Sequence, residues 1–510
     1  MKCLLLLCVL VCSAVGYKIL CFHPIPSKSH FHLVTGIVHP LVKAGHEVTF
    51  VTVFPEAVKD KSKNLRVVDL SHHKKFLEYI DMSDPKVTMT DVQMLSYNLS
   101  VSLVQTPAVQ DMMVNEQFDA IVTEWFFTEI EAGYAAVQGV PWILLSGNVY
   151  HSQVEQIVDA VRSLPILPGI HSRNQLPLTF WQRVQNTLFY CLMSFDEWRS
   201  YSVFKAEYEK HFGAIAAARG VPLPPFEDVH RNVSIVLSDS HPSFSPAISK
   251  PPNVIEIAGY HIDANIPDLP KDLQDILDSS THGVIYFSMG SVLKATALKE
   301  KTRKELIEVF GSLKQTVLWK FDETFENLPK NIHVRSWMPQ SSILAHPNVK
   351  VFITHGGLLS TLESLQYGVP LLAIPVFADQ PHNAARSVQT GQAVQVQYSP
   401  DMAPKVKEAL FELLRNDSYS KKAKYLSKLF KNRLNKPSEL ITHYIELAIE
   451  TKGALHLRSI VKYYKWYEYL MLDQALLLIV VLYIVYSVLR RAINVLTKEE
   501  PKKSSKKKRD

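Results

Sequence analysis

Apolar positions along this chain switch repeatedly between two periods. Tyr17-Lys18-Ile19-Leu20-Cys21-Phe22 reads as a buried strand, and from about His30 the residues Phe31, Val34, Val38, Leu41 and Val42 recur on one helix face. Pro40 falls inside that helix and predicts a kink. Gly45 suits a left-handed stop, and Glu47–Phe54 is the next strand. Strand, helix and strand within about 40 residues make a βαβ unit and hence a parallel sheet. A second unit runs from the strand Asp119–Thr123 through a helix Glu129–Gln138, with Thr128 as candidate N-cap, to the strand Trp142–Leu145. After a proline-rich passage, His241–Pro270, the alternation restarts with the strand Gly283–Ser288 and the helix Lys299–Leu313. The strands Thr316–Lys320 and Val349–Thr354 continue it. Leu176–Phe204, with Trp181, Phe189, Tyr190 and Trp198, is apolar without strand character; it reads as a pocket wall or a membrane-touching surface. Two α/β halves of this kind hold ligands at the carboxyl ends of their strands.

The two ends depart from that pattern. Lys2, the apolar run Cys3–Cys12 and the small residues Ser13-Ala14-Val15-Gly16 have the layout of a secretory signal cut after Gly16. Near the other end, the 21 residues Tyr469–Leu489 are almost wholly apolar from Ala475 on, enough for one membrane span. Trp466, Tyr467 and Tyr469 form an aromatic belt on one side, and Arg490-Arg491 close the other.

Composition narrows the reading further. A chain of 510 residues implies two or three domains, and 47% hydrophobic with 20% charged residues excludes disorder. The segment Arg490–Asp510 holds nine Lys or Arg and three Asp or Glu, a net of +6 that equals the charge of the whole chain. The body is therefore balanced, and the basic excess points to a cytoplasmic tail rather than to nucleic acid. Lys507 and Lys508, fourth and third from the end, are similar to the dilysine retrieval signal of endoplasmic-reticulum membrane proteins. The expected topology is single-pass type I, with the body in the lumen. Sequons at Asn98, Asn232 and Asn416 agree with that compartment. Of five cysteines, three leave with the signal, and Cys21 and Cys191 are too few for a disulfide framework and wrongly spaced for zinc.

Candidate chemistry concentrates in Trp337–Gln380. The strand ending at Thr354 runs into the turn His355-Gly356-Gly357 and then a helix. Free N–H groups at such a helix start, with the helix dipole, favour a diphosphate. Trp337 can stack on a base and Glu363 can hold a ribose diol. Read alone, Ser360-Thr361-Leu362-Glu363 is also a capping box, which would make Glu363 structural.

The order Trp337-Met338-Pro339-Gln340, His355-Gly356-Gly357, Ser360 to Glu363, Gly368-Val369-Pro370 and Asp379-Gln380 resembles the signature of the UDP-glycosyltransferases. These are the inverting UDP-glucuronosyl- and UDP-glucosyltransferases. Gly259-Tyr260-His261 and Phe287-Ser288-Met289-Gly290-Ser291 extend the resemblance along the chain. It implies two Rossmann-like domains facing across a cleft (GT-B type), plus one C-terminal transmembrane helix. The expected boundaries are a signal at 1–16, an acceptor domain at 17–262 and a UDP-sugar domain at 271–452. A membrane helix at 469–489 and a tail at 490–510 follow. It further implies that Trp337 stacks on uracil, Gln340 binds the nucleoside and Glu363 holds the ribose. His355, Gly357, Ser360 and Ser291 would surround the diphosphate, with Asp379 and Gln380 on the sugar hydroxyls.

The resemblance puts the catalytic base at His30, after the proline-rich loop, with His23 and His32 as rivals. A hydroxyl acceptor needs such a base, and the start of a helix would help keep the imidazole neutral. Glu124, at the carboxyl end of its strand, is the expected partner carboxylate, and Asp119, which opens that strand, is the competitor. Glu124 stands where vertebrate relatives usually have Asp, Lys320 where they often have Arg, and Leu359 where some have Asn. These departures resemble arthropod members and imply UDP-glucose as donor, with UDP-glucuronate the alternative. The acceptor is expected to be a small lipophilic hydroxyl compound and the product a β-glycoside. No metal or cofactor is implied beyond the UDP-sugar co-substrate. A tethered non-catalytic binder of UDP-sugars or lipophiles, and a glycolipid-forming transferase rather than a detoxifying one, are the rival readings. Homo- or hetero-oligomers are left open.

Overall fold

The computed structural model describes residues 16–77, 87–161, 163, 166–263, 265–290, 298–323 and 325–497. The expected signal, the end of the tail and Ser291 lie outside the described residues. The chain divides into two units, one ending at Arg458 and one starting at Ser459.

The first unit contains two parallel sheets. One is built from β1 (Lys18–His23), β2 (Glu47–Thr52), β3 (Leu65–Asp69), β4 (Ala120–Glu124), β5 (Trp142–Ser146), β6 (Ile235–Ser238) and β7 (Val254–Glu256). Their spatial order is β3-β2-β1-β4-β5-β6-β7. The other comprises β8 (Val284–Ser288), β9 (Thr316–Lys320), β10 (Ile332–Arg335), β11 (Val349–Thr354), β12 (Leu371–Ala373) and β13 (Ala393–Gln395), in the order β10-β9-β8-β11-β12-β13. Counted from its first strand, the second sheet and the first six strands of the first follow one winding, 3-2-1-4-5-6, the doubly wound dinucleotide fold.

Period two along each strand divides the core. On the first sheet Leu20, Phe22, Ile121 and Leu144 enter one apolar cluster, while Ile19, Cys21, Val122 and Ile143 enter another on the opposite face. In the second sheet Ile285, Phe287 and Trp319 face one cluster and Tyr286, Leu318 and Phe352 the other. Burial on both faces explains why these strands read as continuous apolar runs.

The helix Lys28–Lys43 runs through Pro40 and buries Phe31, Val34, Ile37, Val38 and Leu41. The segment between Leu176 and Phe204 is mostly helical, the front of a 40-residue helix Phe180–Arg219 opened by a Thr179 capping box. Only its far end is buried, through Tyr208, Phe212, Ile215 and Ala216, and Trp181, Leu192, Phe195 and Trp198 stay exposed. The passage His241–Pro270 is not all linker, because β7 pairs with β6 as the edge of the first sheet.

Sequence order and packing part company at the helix Pro437–Glu450. It follows the second sheet in the chain, yet Ile441, Ile445 and Ala448 insert into the cluster under β1 and β2. Full burial of each isoleucine is worth roughly 2–3 kcal/mol. The halves also share a seam, where Leu358, Leu362, Leu365, Leu426 and Phe430 meet Val149, Phe244 and Ala258.

In the second unit, Leu472–Leu496 is a helix of 25 residues, strongly apolar through most of its length. At 1.5 Å per residue it measures about 37 Å, so by length and composition it can cross a hydrocarbon layer of about 30 Å.

Candidate active site

In each sheet the winding reverses between the first strand and its neighbour, β1 beside β4 and β8 beside β11, the place where doubly wound folds bind ligands outside the carboxyl ends of their strands. The chemistry-bearing residues gather at these two switch points.

At the first, β1 ends at His23 and the loop that follows delivers His30 to the first turn of its helix. β4 ends at Glu124, whose side chain is buried. Residues 94 apart in sequence thus meet, with His30 Nδ1 2.5 Å from Glu124 Oε1. A carboxylate accepts, so Nδ1 carries the proton and Nε2 is left to act as a base when the ring is neutral. The His30 side chain keeps 28% of its surface and that of Glu124 only 1%. Burial opposes a charged His30, but the Glu124 carboxylate and, farther off, Asp379 outweigh it and raise its pKa above 6.5. The helix-start dipole therefore does not set the direction of this shift, because a carboxylate in direct contact dominates a partial charge.

Clearance for this contact comes from Gly147. A Cβ there would lie 3.0 Å from Glu124 Oε1 and 2.6 Å from Leu33 Cδ1. Glu124 Oε2 finds no hydrogen-bond partner among the described residues. A second buried acid, Glu131, accepts from Ser100 Oγ at 3.1 Å. Burial, with the charge of Glu124 behind it, pushes Glu131 up to about 8. Glu131 therefore stays protonated near neutral pH.

The rivals take other work. His23 is buried, its Nδ1 lies 2.9 Å from Thr52 Oγ1, and burial pushes it down to about 3. His32, two positions after His30 on the same helix, is exposed. Asp119 sits at the opposite end of β4 and accepts from the Lys18 amide at 2.7 Å.

At the second switch point, β11 runs into His355-Gly356-Gly357, and Gly357 is the N-cap of the helix Leu358–Tyr367. Ser360 is consequently the third residue of that helix and does not cap it, so the capping-box reading of Ser360 and Glu363 fails. Glu363 instead accepts from Ser341 Oγ at 2.5 Å and from Gln340 Nε2, which also lies 3.1 Å from Ser360 Oγ. Burial raises the Glu363 pKa against these hydrogen bonds. Ser341 was not singled out in the sequence; its signal is its place beside Gln340 at the start of the helix Gln340–Ala345. Trp337 lies just past β10 with 67% of its surface exposed, a ring available for stacking rather than a core residue.

The His355 ring lies between two glycines. A Cβ on Gly290 or on Gly357 would come within 2.6 Å of it, and Gly290 also has φ +80°. Burial and the nearby Lys320 push His355 down to about 4, leaving it a neutral imidazole. Lys320 Nζ donates to Gly290 O at 3.0 Å.

After β12, Asp379 precedes the helix Gln380–Gln389 and accepts from Asn383 Nδ2 at 2.6 Å. Burial raises its pKa while Asn383, His171 and His30 work against that rise. Gln380 is buried, and its amide oxygen accepts from Val376 N at 2.9 Å and Phe377 N at 3.1 Å, so it shapes the loop and offers a ligand its NH2 group. Asn383 was missed in the sequence, where its i,i+4 spacing from Asp379 is the signal.

Asn98, Asn232 and Asn416 are all exposed, the second hydrogen-bonded to Arg458 and the third 2.9 Å from Glu412 Oε1. Among the described residues, no three His, Cys, Asp or Glu side chains converge as a metal site.

A profile of the family described as UDP-glucoronosyl and UDP-glucosyl transferase matches residues 20–507. The chain belongs to that family. UDP-glucosyltransferase 2 of Dactylopius coccus is 30% identical over 489 residues, covering 94% of this chain and 92% of its own. UDP-glucuronosyltransferase 1A9 of Mus musculus is 28% identical over 490 residues, 91% of this chain and 89% of that protein. The solved structure of the spinosyn forosaminyltransferase SpnP superposes with a TM-score of 0.59 at 15% identity, over 85% of this chain and 100% of its own. That likeness is one of fold, the GT-B architecture of two facing doubly wound sheets. The chain is accordingly a glycosyltransferase that moves a sugar from a UDP-sugar to an acceptor.

Proposed function

We propose that the transferred sugar is glucose, that the acceptor is the hydroxyl of a small lipophilic molecule, and that transfer inverts the anomeric centre to give a β-glycoside. The observation that carries the reading is the 2.5 Å contact between His30 and Glu124, which leaves Nε2 as the basic atom at a switch point. His30 Nε2 takes the hydroxyl proton as the acceptor oxygen bonds to the anomeric carbon. The bond from that carbon to the diphosphate breaks on the opposite face, and UDP leaves with the electron pair. Glu124 stabilises the imidazolium, following the logic of a Ser-His-Asp triad. On the leaving side, the amides at the start of the helix Leu358–Tyr367 and the His355 ring meet the developing charge. Trp337 stacks on the uracil, Gln340 and Glu363 bind the nucleoside, and Asp379 and Gln380 hold the sugar. No step needs a metal, so EDTA leaves turnover intact.

The name of the Dactylopius relative supports glucose as the transferred sugar. Although Lys320 in place of Arg is one of the arthropod-like departures, its half-buried cation at Gly290 beside His355 keeps UDP-glucuronate as the second reading. A donor screen decides between them. Membranes carrying the chain receive a simple phenol with UDP-glucose, UDP-glucuronate, UDP-galactose or UDP-N-acetylglucosamine. Turnover with UDP-glucose, lost in His30→Ala, supports the proposal. Turnover with UDP-glucuronate alone replaces the donor, an α-linked product removes the inverting mechanism, and UDP binding without turnover favours the non-catalytic reading. We further propose that the body lies in the endoplasmic-reticulum lumen, anchored by Leu472–Leu496. Protease protection of the body in sealed microsomes tests that orientation.

A further inference from the structure

The turn that carries Asp379 is held from the other half of the molecule. Ala378, immediately before Asp379, has φ +54°, the left-handed region that a residue with a Cβ adopts only under strain. Its carbonyl oxygen lies 3.0 Å from Nδ1 of His171, a residue of the loop between the helices Ser152–Ile157 and Phe180–Arg219. A carbonyl only accepts, so His171 donates from Nδ1.

The loop that presents His171 is itself braced. Asn186, on the long helix, accepts from the Gly169 amide at 3.0 Å and donates to Leu167 O at 2.9 Å. A Cβ on Gly169 would lie 2.9 Å from the Phe189 ring, so the loop sits flush against that helix. Beyond His171, Arg173 reaches Gln397 Oε1 at 3.3 Å and Leu176 O accepts from Gln389. On its own side the Asp379 turn is closed from beneath by the Gln380 side chain, and the Gln380 amide donates to Phe377 O at 3.2 Å across Ala378 and Asp379.

We infer that His171 is a positioning residue for the donor sugar: its hydrogen bond to Ala378 holds the strained backbone that aims the Asp379 carboxylate. The inference rests on the reading that Asp379 binds the sugar hydroxyls. It assigns one element of the sugar site to the acceptor half, so the site is complete only when the loop is docked. Nothing in the sequence around His171 marks it, because its partner is a backbone atom 207 residues away.

The test separates the sugar end of the donor from its UDP end. In the full-length chain, His171→Ala should raise the KM for UDP-glucose about tenfold, or for UDP-glucuronate if the donor screen selects it. Competitive inhibition by UDP, which has no sugar, should change less than about twofold. His171→Asn, which keeps an N–H donor, should recover most of the loss. Glycine adopts φ +54° without strain, so in an Ala378→Gly background the same His171→Ala change should cost less than about threefold. Equal weakening of UDP and UDP-glucose overturns the inference, since it means a general disturbance of the donor half. A penalty undiminished in the Ala378→Gly background overturns it as well. Asp379→Ala is the control for the reading beneath it. A raised KM there with none in His171→Ala removes the strut alone. No change in Asp379→Ala removes the sugar-site reading and the strut with it.

Discussion

The two halves share a winding and a switch-point geometry, yet they prepare their polar groups in opposite ways. In the second half, groups are tied to one another before any ligand arrives: Gln340 and Ser341 both engage Glu363, Asn383 engages Asp379, and Gln380 engages its own loop. In the first half, His30 and Glu124 form one tight pair, and Glu124 Oε2 and His23 Nε2 are buried with no partner among the described residues. A satisfied network holds a fixed shape, which suits an invariant nucleotide. A short contact that raises the pKa of His30 suits proton transfer, where the charge must change during the reaction. On the proposed roles, recognition and chemistry are separated across the cleft.

Substitutions can break that division of labour, beginning with the pair. His30→Ala should lower kcat by about a thousandfold while UDP affinity, read by competitive inhibition, stays within about twofold. Next, Glu124→Gln should cost about a hundredfold in kcat and move the pH profile. In the wild type, kcat/KM for the acceptor should rise with pH as His30 loses its proton, at a pH above 6.5 because Glu124 holds the proton on. Removing that charge leaves burial in command, so the rise should shift below 6.5. A profile that does not move would break the assignment of His30 as the titrating base.

Changes in the other half should speak through KM. Glu363→Ala strands Gln340 and Ser341 and should raise the donor KM about thirtyfold, with kcat changed less than about threefold. Two glycine substitutions sharpen the contrast at about tenfold each. Gly147→Ala drives a methyl toward Glu124 and Leu33 and should lower kcat, whereas Gly357→Ala drives one toward His355 and should raise the donor KM. The same parameter moving in both would erase the division. The smallest effect is expected at Glu131. Since it stays protonated near neutral pH, the isosteric Glu131→Gln should leave turnover at pH 7 within about twofold, against the large loss in Glu124→Gln.

Much of the second half was legible because its site is nearly contiguous. From Trp337 to Gln380 the chain runs through two strands, one glycine turn and three helix starts, and local backbone rules set where each side chain points. Ser360 shows the limit of that reading. Its spacing to Glu363 matches a capping box, but the helix begins at Gly357, and Glu363 turns to the neighbouring helix instead. In the first half, His30 and Glu124 could be named from resemblance, whereas their contact could not be read from local pattern. It depends on β1 and β4 lying side by side.

By itself the sequence determined the two α/β halves, the helix able to cross a membrane and the anion-ready turn at His355. Each follows from a short-range cause: strand period, helix period, or the freedom of glycine. Tertiary structure decided which distant groups meet. It brought His30 to Glu124, opened the gap at Gly147, laid the helix Pro437–Glu450 beneath the first sheet, and set His171 on the Ala378 carbonyl. These choices follow from the order of strands in a sheet and the packing of whole helices, which sum many weak contacts over the molecule and leave no mark on any single stretch of chain.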